Sequence, residues 1–149
     1  MCLLSFGANT NLRDECGQSP LYITSLSGHC DVVECLLSSG ADINLSDECG
    51  QSPLFIASEK GHYNVVKCLL SSGADINLCD ECGQSPLFVA STYERYDVIK
   101  YLLSSGADFA LCDVDGQLPS IAASSSGYYD IVRLLTAQGA LHDEYDSNA

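Results

Sequence analysis

The segment Gly17-Gln18-Ser19-Pro20-Leu21 returns as Gly50-Gln51-Ser52-Pro53-Leu54 and again as Gly83-Gln84-Ser85-Pro86-Leu87. A weaker copy begins at Gly116-Gln117-Leu118-Pro119. The four glycines are evenly spaced, with a period of about 33 residues, and that period is the strongest constraint on the fold. A unit this short cannot bury an apolar face by itself. Neighbouring copies must stack and share one continuous core.

The copy from Ser52 onward shows the local structure. Ser52 suits an N-cap and Pro53 suits the first helical position, so a short helix is expected from Pro53 to about Glu59. Gly61-His62 breaks it, because glycine readily takes the left-handed conformation that closes a helix. Val65, Val66, Leu69 and Leu70 recur at helical spacing, which predicts a second helix from about Asn64 to Ser71. Gly73 ends that helix, and the polar, turn-rich stretch from Asp75 to Gly83 projects as a loop to the next copy. The corresponding helices of the preceding copy are expected at Pro20 to Ser27 and Asp31 to Ser38.

These residues resemble the ankyrin repeat, which has Gly, Thr-Pro-Leu-His, Ala, Gly-His, Val-Val, Leu-Leu and Gly-Ala-Asp-x-Asn at these offsets. Here the pattern reads Gly50, Ser52-Pro53-Leu54-Phe55, Ala57, Gly61-His62, Val65-Val66, Leu69-Leu70 and Gly73-Ala74-Asp75-Ile76-Asn77. The resemblance covers essentially the whole chain. It implies an all-α ankyrin-repeat solenoid of stacked helix-turn-helix units with protruding loop or β-hairpin fingers. Residues 1–149 then form a single domain: a partial repeat at 1–13, repeats at 14–46, 47–79, 80–112 and 113–145, and a tail at 146–149. The abrupt start within a repeat, with Leu3-Leu4 unshielded, is expected of a segment of a longer array.

The copies differ at informative places. Glu94-Arg95 replaces Gly-His, so Glu94 must accept a left-handed backbone at some cost or the turn must be reshaped. Leu118 removes the Ser cap from the fifth unit, whose second helix is expected over about Asp130 to Ala137. The polar stretch from His142 is expected to fray, with Tyr145 packing onto the end. The family's first-helix His is Tyr22, Phe55 or Phe88 here, so its loop hydrogen bonds are expected to give way to aromatic packing.

Charge bounds the partners. Twenty acidic residues against six Lys and Arg leave a net charge of -14, which disfavours nucleic acid and anionic membranes. A protein partner of basic character is expected instead. No apolar run approaches the roughly 20 residues needed to span a bilayer, and Met1-Cys2-Leu3-Leu4 lacks the pattern of a signal peptide. The nine cysteines are odd in number and several recur with the repeat, which suits a reducing, cytoplasmic compartment better than a disulfide framework. The chain is expected to be a monomer or a fragment of a longer chain.

The resemblance also implies where a partner would bind: the concave face made of the fingers and first helices. Carried onto this chain, the finger positions include Glu15, Gln18, Glu48, Gln51, Glu81, Gln84 and Asp115, and the first-helix positions include Leu26, Glu59, Lys60, Thr92 and Tyr93. In Asp14-Glu15, Asp47-Glu48 and Asp80-Glu81 the leading Asp fits a turn-forming role, whereas the Glu could add to a groove attracting a basic surface. Cys2, Cys35 and Cys68 read as small core residues, Cys30 as a partly exposed surface thiol, and His29 and His62 as ties between adjacent loops.

No G-x-S-x-G, P-loop, dinucleotide fingerprint or H-E-x-x-H appears, and the many carboxylates repeat with the scaffold. No enzymatic activity, cofactor or metal is expected. The leading reading is a non-catalytic protein-interaction module. The alternatives are a structural spacer within a longer array and, less favoured, a zinc- or redox-responsive module at Cys79, Cys82 and Cys112.

Overall fold

A computed structural model describes residues 8–146, with side chains described through Gly139. Among the described residues there are eight helices and no strand. They run in pairs: α1 (Pro20–Ser27) with α2 (Cys30–Ser38), α3 (Pro53–Lys60) with α4 (Tyr63–Ser71), α5 (Pro86–Thr92) with α6 (Tyr96–Ser104), and α7 (Pro119–Ser125) with α8 (Tyr129–Asp146). First helices pack on first helices and second on second, so the pairs form two rows. The fingers are loops with no hairpin ladder, and each connects a second helix to the next first helix.

The first helices begin where the expected signal lies. Ser19, Ser52 and Ser85 each accept a hydrogen bond at 3.1 Å from the backbone N–H of Tyr22, Phe55 and Phe88, and a Pro follows each cap. Leu118 holds the same place without a side-chain cap, as its apolar side chain requires. Gly28 and Gly61 close α1 and α3 in the left-handed region, at φ 77° and 78°. Glu94 takes that conformation too, at φ 57°, alone among the described non-glycine residues. The turn keeps its shape, and Glu94 carries the strain of roughly 1–2 kcal/mol that an L-residue meets there.

The core lies between the rows. Leu21, Val33, Leu36, Leu54, Val65, Val66, Leu69, Leu87, Val98, Ile99, Leu102 and Ile131 are buried in one continuous cluster. Phe55 and Phe88 are buried with Val89 and Ala122 in a second cluster, which is the aromatic packing anticipated in place of the histidine. Tyr22 departs from that expectation, because its hydroxyl still donates to Gln51 Oε1 of the next finger at 3.0 Å.

One helix is longer than expected. The preceding second helices end at Ser38, Ser71 and Ser104, just before Gly40, Gly73 and Gly106 with their positive φ, whereas α8 passes through Gly139 and continues to Asp146. The segment after Gly139 has Ala140-Leu141 where earlier copies have Ala-Asp leading into a turn, and its good helix formers propagate the helix. The fraying anticipated from His142 is therefore corrected as far as Asp146. The expected packing of Tyr145 and the core role of Cys2 lie outside the described side chains.

Candidate interaction face and a thiol cluster

Each finger is built by one carboxylate. Asp14 Oδ1 accepts from the N–H of Cys16 and of Gln18, at 2.9 and 2.8 Å. Asp47 repeats this with Cys49 and Gln51, Asp80 with Cys82 and Gln84, and Asp113 with Asp115 and Gln117. The leading Asp of each pair is thus engaged in its own turn. Adjacent fingers are then joined by single backbone bonds, from Glu48 N–H to Cys16 O, Glu81 N–H to Cys49 O and Val114 N–H to Cys82 O, at 3.2, 3.0 and 2.9 Å.

That close approach explains the repeated glycine. Gly50 has φ +78°, and a Cβ there would lie 2.9 Å from the backbone N of Glu81. At Gly116, on the last finger, nothing lies within 4 Å. Gly17, Gly50 and Gly83 are thus steric requirements of the stack as well as of the turn, and Gly116 of the turn alone.

A second ladder runs beneath the fingers. Asn11 Oδ1 accepts from Asp42 N–H, Asn44 Oδ1 from Asp75 N–H and Asn77 Oδ1 from Asp108 N–H, at 2.8, 3.0 and 3.0 Å. Ala110 occupies the next place and has no side-chain acceptor to continue it. This ladder was not anticipated from the sequence. Its signal was the recurring Asp-x-Asn.

The anticipated partner-contacting residues divide by exposure. Glu15, Glu48, Glu81, Lys60, Tyr93 and Asp115 are exposed; Gln18, Leu26, Gln51, Glu59, Gln84 and Thr92 are half-buried. The fingers bring Glu15, Glu48 and Glu81 onto successive rungs, and none of the three forms an ion pair among the described residues. Gln51 is tied to Tyr22, and Thr92 Oγ1 donates to Phe88 O within its own helix at 3.0 Å. Lys60 pairs with Glu59 at 2.7 Å. Arg13, at the edge of the first finger, donates from Nε to Gly17 O and from Nη2 to Ser46 O, binding two fingers together.

The finger stack is electrically negative at close range. The Cys49 thiol is pushed above its ordinary value by Asp47 first, then by burial and by Glu81 and Asp80 of the next finger. Buried Tyr22 is likewise pushed up, mainly by burial and then by Asp47. A concavity of about 760 Å³ lies elsewhere, lined by residues including Glu94, Tyr96, Tyr128, Tyr129 and Arg133, and none of the anticipated partner-contacting residues lines it.

The cysteines are arranged differently from the expectation. Cys79, Cys82 and Cys112 do not converge; Cys79 Sγ instead faces its own chain at Asn77 O, 3.4 Å away. Fingers stack through their backbones, which leaves Cys82 and Cys112 exposed on separate rungs. Among the described residues, the one group of three that comes within ligating reach is Cys30, Glu34 and Cys68, on α2 and α4. Burial raises the Cys68 thiol to about 11, helped by neighbouring Cys30 and Glu34.

Among the described residues no helix is long and apolar enough to cross a membrane. No curated protein matches the chain significantly. The family described as ankyrin repeats (3 copies) matches residues 1–80 and 72–146. With the paired helices, the capped Ser-Pro starts and the stacked fingers, this match shows that the chain belongs to the ankyrin-repeat family.

Proposed function

We propose that the chain is a non-catalytic interaction module that binds a basic protein surface across its fingers and the ends of its first helices. Ankyrin repeats are in general protein-protein interaction modules. The observation that carries the finer reading is the division of labour within each acidic pair. The Asp is consumed by its own turn, while the adjoining Glu15, Glu48 and Glu81 are exposed on successive rungs and form no ion pair among the described residues. Rigid rungs hold these charges in a fixed row, so a complementary row of Lys or Arg meets them with little ordering cost.

Tyr93 and Lys60, at the C-terminal ends of α5 and α3, are both exposed. Exposed Tyr93 adds aromatic area of the kind that dominates binding hot spots. The partner is recognised by charge pattern and preformed shape, and no reaction is performed on it.

Affinity capture from lysate at two salt concentrations tests this reading, using the wild type beside a folded variant carrying Glu15→Lys, Glu48→Lys and Glu81→Lys. A protein held by the wild type, released by salt and lost in the variant supports binding through the fingers. Retention of the same protein by the variant contradicts the role of the three glutamates.

A further inference from the structure

We propose that Cys30, Glu34 and Cys68 form a binding site for one thiophilic divalent cation of the zinc class, bridging the second helices of two adjacent repeats. The site is separate from the finger face and does not depend on its function.

The geometry is close to what such an ion demands. The three ligand atoms lie within 4.8 Å of one another, and Cys30 Sγ is 3.9 Å from Glu34 Oε1. Zinc sits about 2.3 Å from a thiolate and about 2.0–2.2 Å from a carboxylate oxygen, so ligand atoms around a tetrahedral ion are roughly 3.5–3.8 Å apart. Small side-chain rotations close the difference. Cys30 and Glu34 are one helical turn apart and share a face of α2, while Cys68 approaches from α4. Cys68 and Glu34 also border an open groove, so water has access to a fourth position. Each thiol releases its proton to solvent as it binds the ion.

The repeat itself argues against an ordinary packing role. One unit further on, the places of Cys30 and Cys68 are held by Tyr63 and Tyr101, whose rings meet edge-on with centroids 5.5 Å apart. Lys67 stands where Glu34 would recur. The scaffold fills this junction with an aromatic pair beside a cation. At the first junction all three positions change together, to two thiols and a carboxylate.

The test is a titration of the reduced, chelator-stripped full chain with Co²⁺ under anaerobic conditions. We expect thiolate-to-cobalt charge transfer that saturates at one equivalent and is abolished by one equivalent of Zn²⁺. Cys30→Ser and Cys68→Ser each remove the charge transfer, Glu34→Gln weakens binding by at least about 10-fold, and Cys82→Ser leaves it intact. The double variant Cys30→Tyr with Cys68→Tyr imports the packing of the next junction; it folds and binds no cobalt. Absence of charge transfer in the wild type overturns the proposal. So does a signal that survives in folded Cys30→Ser and Cys68→Ser, or one lost in Cys82→Ser.

Discussion

Arg95 Nε donates to the backbone carbonyl of Glu59 at 2.8 Å, across the same separation of 36 positions at which His62 Nε2 meets the carbonyl of Leu26 at 3.0 Å. A carbonyl only accepts, so His62 carries its proton on Nε2. Two chemically different side chains therefore perform one task, tying a turn to the end of the preceding first helix. His29 is exposed and no such bond engages it among the described residues.

Removing that tie has a measurable cost. Arg95→Ala leaves the Glu59 carbonyl without its charged donor and is expected to destabilise by about 1.5–3 kcal/mol in a urea melt. Arg95→His restores a donor of the type used one repeat earlier and recovers at least half of the loss. Equal stability of Arg95→Ala and wild type refutes the structural role of the bond.

Two glycines with similar backbones separate conformational strain from steric conflict. Gly50 and Gly73 both have positive φ, but only at Gly50 would a Cβ meet another backbone, 2.9 Å from Glu81 N. Gly73→Ala costs the strain alone, about 1–2 kcal/mol. Gly50→Ala exceeds it by about 1–3 kcal/mol, because the finger stack must shift. Denaturant midpoints of the two variants check the order, and equal losses contradict the close packing of fingers.

Buried hydroxyls offer a stabilising change. Ser58 is fully buried and its Oγ has no hydrogen-bond partner among the described residues, whereas Ser91 Oγ, one repeat on, donates to Leu87 O at 2.8 Å. Ser58→Ala removes an unpaired polar group without a large cavity and is expected to raise stability by about 1 kcal/mol. Ser91→Ala gives less or none. The two thermal midpoints decide it.

Tyr22 makes stability sensitive to alkali. Its folded-state value lies above the ordinary 10.0, chiefly through burial and then through Asp47. Its contribution is fully present below about pH 10. It is lost as pH rises above that, because the unfolded chain releases the phenolic proton first. Tyr22→Phe, which copies Phe55 and Phe88, is expected to cost about 0.5–1.5 kcal/mol at neutral pH by losing the Gln51 hydrogen bond. It should also lose less stability than the wild type between pH 9 and pH 11. Parallel alkaline curves for the two proteins contradict this account.

Much of the architecture was legible because it follows from residues acting within one copy. Ser19-Pro20 and Gly28 bracket α1 at the expected residues, and Ser52-Pro53 with Gly61 do so for α3. Glu94 accepted the left-handed turn that Gly-His usually makes, one of the two outcomes its position allowed. The helix beyond Gly139 was missed because the last second helix is expected to end at about Ala137, in register with the earlier copies, whereas α8 runs to Asp146.

The candidate sites were less legible because they arise between copies. Asn44 and Asp75 are 31 positions apart, and reading each Asp-x-Asn as a local turn hides the rung between them. Cys30 reads in sequence as a partly exposed surface thiol and Cys68 as a core residue. Only the stacking of α2 on α4 brings them together. Conversely, the C-x-x-C of Cys79 and Cys82 drew attention through sequence adjacency, although Cys79 turns to Asn77 O and backbone stacking holds Cys82 and Cys112 on separate rungs.

The measurement closest to the central claim is hydrogen–deuterium exchange of the chain alone and with the protein it captures. Binding across the finger face predicts added protection at residues 14–18, 47–51 and 80–84 and at the ends of α1, α3 and α5. Protection confined to the second-helix row of α2, α4 and α6, with the fingers exchanging as freely as in the unbound chain, contradicts it.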